Sequence, residues 1–169
     1  GWKFLKEHVL GKQWVAPNFI RPPKVSRLPD IVSVAEAQAL FDATRVLSYR
    51  VFFFTLYSLG LRLGEGLALT VADIDAQRMR VHVRDAKGNR DRLVPLPEAT
   101  LRVLRGHWRV HQHPRLLFPN RAGGLAGARS AASPLDRGGV QRALHQVAEG
   151  CGLKKTSPPT ACATAMQLT

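Results

Sequence analysis

Tyr57-Ser58-Leu59-Gly60-Leu61-Arg62-Leu63-Gly64-Glu65-Gly66-Leu67-Ala68-Leu69 decides the reading of this chain. An apolar helix from Arg50 to Ser58, rich enough to be buried on most sides, stops or kinks at Gly60. A second short helix follows over Leu61 to Leu69, with Leu63, Leu67 and Leu69 as core candidates. Arg62 stands at its start, inside an otherwise apolar region, and a charge there needs a partner or a task. Two readings stay open. Arg62 and Glu65 are three residues apart, share a helix face and can form an internal ion pair. Alternatively, Arg62 meets a phosphate bidentately at a helix start, where the helix dipole also favours anions.

Downstream, Thr70 to Asp75 reads as a turn into a strand pair. Met79, Val81 and Val83 alternate with Arg80, His82 and Arg84, which predicts a strand. Arg92 to Leu96 is the returning strand, with Val94 and Leu96 on one face. Gly88-Asn89 supplies the turn between them. The hairpin tip is therefore charged and exposed, with Lys87 flanked by Arg84, Arg90 and Arg92. It is either a solubilising turn or a finger whose Lys87 reaches a nucleic-acid backbone and gives a proton to a leaving alkoxide. Pro97 to His111 predicts a helix with its proline at the start and Leu101, Leu104 and Trp108 on the apolar face. Leu116-Leu117-Phe118 is a short apolar run, and Arg121 to Arg137 a basic loop carrying Arg129. Gly139 to Glu149 predicts a last helix that buries Val140, Leu144 and Val147. His107, His111 and His113 lack a neighbouring carboxylate or cysteine. They are expected on an exposed, phosphate-facing helix face, and no metal is expected.

Upstream, Ser33 and Glu36 form a capping box for a helix from Val34 to about Ala43. Before it, Pro17, Pro22, Pro23 and Pro29 with Arg21, Lys24 and Arg27 predict an extended basic linker. Trp2, Leu5, Val9 and Leu10 fall near one face of a short helix with no partner in its own segment, which suggests the tail of a separate domain. Over the whole chain, 169 residues with 45% hydrophobic content exclude wholesale disorder. The 25 Lys and Arg against 12 Asp and Glu give a net charge of +13, which points to a polyanionic partner. Cys151 and Cys162 make neither a disulfide framework nor a paired-cysteine zinc site. No stretch approaches the roughly 20 apolar residues of a spanning helix.

The stretch from Tyr57 to Leu69 resembles the first catalytic-arginine box of the tyrosine recombinase (phage integrase) family, which includes Xer-like and integron-type enzymes. Asp73-Ile74-Asp75 follows at the spacing that box expects, and Lys87-Gly88-Asn89-Arg90-Asp91-Arg92-Leu93-Val94-Pro95-Leu96 is similar to the family's catalytic-lysine hairpin. Leu117-Phe118-Pro119 and Val25 to Ala43 resemble further family elements, and the similarity runs from about Leu5 to Thr164. The resemblance implies an α+β fold: a mainly helical recombinase-like catalytic domain with a small antiparallel sheet, truncated at its C-terminus. It implies residues 1–28 as the tail of an N-terminal helical core-binding domain plus linker, and 29–169 as the catalytic domain.

Family members cleave one DNA strand with a tyrosine nucleophile and no metal. Carried over, Arg62 binds the scissile phosphate, Glu65 buttresses it, and Lys87 is the general acid, with charge stabilisation at the phosphoryl oxygens as the physical core. Arg84, Arg90, Arg92, Arg121 and Arg129 are expected to face DNA. The implied partners are double-stranded DNA and other recombinase protomers, with no cofactor, membrane or small-molecule substrate, in a bacterial cytoplasm at the nucleoid.

The family's second box, His-x-x-Arg, is altered here: Ser157-Pro158 is present, but Pro159 and Cys162 occupy the His and Arg slots before Ala163-Thr164. The last tyrosine is Tyr57. The expectation is a catalytically incomplete recombinase that binds DNA. The alternative is a non-catalytic DNA-binding module or a decayed fragment. A missing C-terminal segment also implies exposed apolar side chains such as Val140 and Leu144.

Overall fold

The computed structural model describes residues 8–11, 32–86 and 90–152. The linker over 15–30, the tip residues Lys87, Gly88 and Asn89, and the altered second box near Ser157 lie outside the described residues.

Helix α1 spans Val34–Ala43 and opens on the expected capping box. The Ser33 hydroxyl accepts from the Glu36 amide at 3.3 Å, and the Glu36 carboxylate accepts from the Ser33 amide at 2.8 Å. Helix α2 spans Leu47–Leu59, three residues earlier than the sequence reading, because Val46 rather than the charged Arg50 marks its start. The Arg50 Nε instead donates to the Thr44 carbonyl at 2.9 Å, tying the two helices together. Phe52, Phe53 and Thr55 of α2 are all but fully buried. Thr55 keeps its hydroxyl satisfied by donating to the Val51 carbonyl at 2.7 Å. The Phe52 ring meets Phe118 edge-on, centroids 5.0 Å apart.

Gly60 ends α2 in the left-handed region at φ 59°. Helix α3 then spans Leu63–Ala68. It starts later than Leu61 because Leu61 is drawn into the core and Arg62 is extended, at ψ 153°. A 3-10 turn over Val71–Asp73 leads into β1 (Ile74–Asp75), β2 (Arg80–Ala86) and β3 (Arg90–Pro95). The three strands form an antiparallel sheet in the order β1-β2-β3. Met79 is not part of β2: it turns the chain at φ 50°, and its carbonyl accepts from the Leu96 amide at 2.9 Å. Val81 and Val83 face the core as the alternation predicts, paired with Val94 and Arg92.

Helix α4 spans Glu98–His111 and packs on α2, where the Thr100 and Ser58 hydroxyls hydrogen-bond at 2.5 Å. Two expectations for this region fail. His107, His111 and His113 are 4%, 3% and 7% exposed, so they are core residues and not an exposed face. The rows Thr100-Leu104-His107-His111 lie one above another on a helix, so the apolar face continues through the histidines. Trp108, expected in the apolar face, is 38% exposed, with its indole N–H donating to the His113 carbonyl at 3.0 Å.

The basic loop over 121–137 contains a short helix, α5 (Gly124–Ala128), and is anchored by buried Ala128 and Leu135 and by a bridge between Pro119 and Pro134. Helix α6 spans Arg137–Gly150 and is capped by the Asp136 carboxylate, which accepts from the Gly139 amide at 2.6 Å. It packs on α1 and α3. Val140 is fully buried there, as the helix pattern predicts and against the exposure expected of a truncated chain, while Leu144 and Val147 pack against the core half-buried. The described fold is therefore α+β and mainly helical, with its core centred on α2.

Candidate functional site

The first cation of the motif, Arg62, occupies the residue before α3, where its extended backbone turns the side chain back along the helix start. Three residues on, Glu65 is buried, its side chain 7% exposed. The Glu65 Oε2 accepts from the Arg62 backbone N–H at 2.8 Å, and Oε1 accepts from Arg62 Nη1 at 2.9 Å. The internal ion pair is thus present. It leaves the Arg62 side chain 46% exposed, and among the described residues its Nε and Nη2 meet no protein acceptor.

A third member comes from the sheet. Arg92 of β3 lies opposite Val83, on the face that packs inward. Its Nη1 donates to Glu65 Oε1 at 2.8 Å and its Nη2 to Oε2 at 2.9 Å, a two-pronged contact that only a guanidinium makes. Burial pushes the Glu65 carboxyl up, but hydrogen bonds from Arg92 and from the Arg62 backbone and side chain outweigh it and hold the group at about 2. Arg92 is correspondingly held above its ordinary value by the hydrogen bond to Glu65. The carboxylate stays charged, and the triad carries one net positive charge, presented through Arg62.

Arg84 is held separately. Its Nε donates to the Asp73 Oδ1 at 2.7 Å, while Asp73 Oδ2 accepts from the Thr70 amide at 2.9 Å and hydroxyl at 2.6 Å. Burial raises the Asp73 carboxyl, and the bonds from Thr70 and Arg84 more than reverse that. The Arg84 side chain remains 60% exposed. Elsewhere on the hairpin, His82 Nε2 and Asp91 Oδ2 are 2.9 Å apart.

The remaining sequence candidates are dispersed. Lys87 lies outside the described residues, and Arg90 is placed only as the first residue of β3. Arg121 is half-buried, with its Nε enclosed and without a hydrogen-bond partner. Its charge lies close enough to His107 to help depress that imidazole, which burial first, and then His111 and Arg121, push down to about 4. Arg129 is exposed at the end of α5. So the structure joins Arg62, Glu65 and Arg92 in one unit and keeps Arg84, Arg121 and Arg129 apart from it.

Sequence reasoning named Arg92 but missed its bond to Glu65. The signal was its parity: Arg92, Val94 and Leu96 alternate on one side of β3, so Arg92 shares the inward register. Among the described residues, no group of three or more His, Cys, Asp and Glu side chains is placed to hold a metal ion.

Residues 30–164 match the model of the phage integrase family. The chain is 37% identical over 123 residues to a putative integrase/recombinase, y4qK, of Sinorhizobium fredii, covering 72% of this chain and 40% of the relative. It is 32% identical over 135 residues to the tyrosine recombinase XerC of Myxococcus xanthus, covering 70% of this chain and 45% of the relative. The chain thus spans less than half the length of these relatives. Its fold is similar to a crystal structure of XerA recombinase (TM-score 0.64, 21% identity, 98% of this chain and 57% of that one). It is also similar to a lambda integrase (75-356) dimer bound to a COC' core site (TM-score 0.71, 16% identity, 98% of this chain and 59% of that one). At those identities the two structures speak to fold alone.

Proposed function

The chain belongs to the phage integrase family, and from that premise we propose that it binds duplex DNA in site-specific recombination, with Arg62 at the phosphate where a strand is cut. The observation that carries this reading is the Arg62–Glu65–Arg92 unit. Two of its members, Arg62 and Glu65, sit in the stretch that resembles the family's first catalytic-arginine box and the third, Arg92, in the hairpin that follows, and the unit presents a half-exposed guanidinium held by a buried carboxylate. A guanidinium with free donors matches the oxygens of a phosphodiester, and its fixed charge stabilises negative charge developing on them.

On this reading Glu65 orients Arg62, and Lys87 at the hairpin tip gives the proton to the departing 5′-oxygen. Arg84, Arg90, Arg121 and Arg129 add phosphate contacts that set affinity and register more than sequence preference. Residues 1–28 form the end of a preceding helical domain and its linker, and 29–169 the catalytic domain. The partners are duplex DNA and further recombinase protomers, and the working compartment is the cytoplasm, at the chromosome. The net charge of +13 supports a polyanionic partner. Among the described residues no helix is long and apolar enough to cross a membrane.

Hydrogen–deuterium exchange with and without duplex DNA tests the reading. Protection is expected over residues 61–66 and over the β2–β3 hairpin. Protection confined to α1, with these segments unchanged, would overturn it.

A further inference from the structure

The basic residues of the hairpin do not all do the same work. Arg84 is 60% exposed and bonds Asp73 through Nε, whereas the Arg92 side chain is 34% exposed and gives both terminal nitrogens to Glu65. Strand register explains the difference. Arg92 pairs with buried Val83 and shares the inward face of the sheet with Val81 and Val94. From that face its guanidinium reaches α3, which packs on β2.

We propose that Arg92 is a positioning residue for Arg62, acting through Glu65 and fastening the hairpin to the start of α3, instead of a contact to DNA. This rests on the reading of Arg62 given above. The geometry makes the chain of dependence explicit. Arg62 is oriented by Glu65 through Oε1 and Oε2, and the same two oxygens are gripped by Arg92. An isolated, solvent-exposed pair three residues apart on a helix is weak and mobile. Here the carboxylate is fixed from a second element, so the half-exposed Arg62 inherits an orientation that its own six-residue helix does not supply. Planar, two-pronged geometry is essential to that grip, and a lysine at 92 keeps the charge while losing it. Strand β3 is thereby tied, through Glu65, to the start of α3 where Arg62 stands.

The test is a double-mutant cycle on DNA affinity and its salt dependence, using a duplex DNA probe and the full chain. Arg62→Ala is expected to weaken binding and to flatten the plot of log affinity against log salt by about one. Arg92→Lys is expected to weaken binding roughly fivefold with the salt slope unchanged, since no phosphate contact is removed. The double variant is expected to bind no more weakly than Arg62→Ala alone. Additive effects, a reduced slope in Arg92→Lys, or wild-type affinity in that variant would each overturn the positioning role while leaving the reading of Arg62 intact. A folded Arg62→Ala that binds as wild type would overturn both. Nitrogen-15 relaxation of the Arg62 side-chain Nε in the wild-type protein gives a check independent of any variant's folding: an ordered Nε is expected, and a freely mobile one contradicts the proposal.

Discussion

Arg92 on β3 and Glu65 on α3, 27 residues apart in sequence, meet through two parallel hydrogen bonds of 2.8 and 2.9 Å. The contact closes the sheet onto the short helix that follows Gly60. It also gives a buried carboxylate the partners without which burial would be costly. Because Arg62 shares the same carboxylate, one side chain both closes the sheet onto α3 and holds Arg62.

Removing that carboxylate should therefore be severe. Glu65→Ala leaves Arg92 facing inward with no anion, and breaking a buried pair in this way costs about 3 kcal/mol. Urea unfolding followed by circular dichroism measures it, and a loss below about 1 kcal/mol would contradict the structural role.

Acid should weaken the fold in two stages. The folded His107 is held at about 4 against an ordinary 6.5, so between pH 6.5 and 4 the unfolded chain takes up a proton that the folded chain refuses. Stability is full above pH 6.5 and falls with roughly 1.4 kcal/mol per pH unit across that window, with His111 adding in the same direction. Glu65, held at about 2 against 4.5, stabilises the fold above pH 4.5 and loses that contribution as pH falls towards 2. Urea midpoints measured against pH should show the first slope, and His107→Gln should reduce it. A flat profile from pH 7 to 4.5 would contradict the burial of these histidines.

Two glycines of the motif should respond to alanine for different reasons. At Gly66 a Cβ would lie 2.5 Å from Leu56 Cδ2 and 3.1 Å from Phe52 Cε2, so Gly66→Ala forces α3 off α2 and costs roughly 1–3 kcal/mol. At Gly60 the space is open but φ is +59°, and Gly60→Ala costs about 1 kcal/mol in backbone strain. Thermal melts of the two variants should rank Gly66→Ala as the more damaging, and no loss at Gly66 would mean that α3 does not pack as described.

The sequence made the local elements legible where one signal dominated. The Ser33–Glu36 capping box, the stop at Gly60 and the period-two alternation of Val81 and Val83 all placed their elements well. The histidines of α4 were misread because residue type was weighed above position: a polar ring reads as surface, but its place in the row below Leu104 set it in the core. The helix pattern predicts the burial of Val140, but not its partners: α6 finds its cover in α1 and α3, a long-range packing that composition does not encode. At the site, the Arg62–Glu65 pair followed from spacing, whereas Arg92 needed the register of one strand against another and the placement of that sheet on α3.

The most direct test of the central claim is the affinity of the purified chain for duplex DNA across a salt series, for wild type, for Arg62→Ala and for Arg109→Ala, which removes the same charge from α4. Steep weakening with salt is expected, with Arg62→Ala lowering affinity and reducing the slope by about one, and Arg109→Ala doing markedly less. Equal losses in the two variants, or a cooperatively folded Arg62→Ala that binds as tightly as wild type, would contradict the claim that Arg62 meets a DNA phosphate.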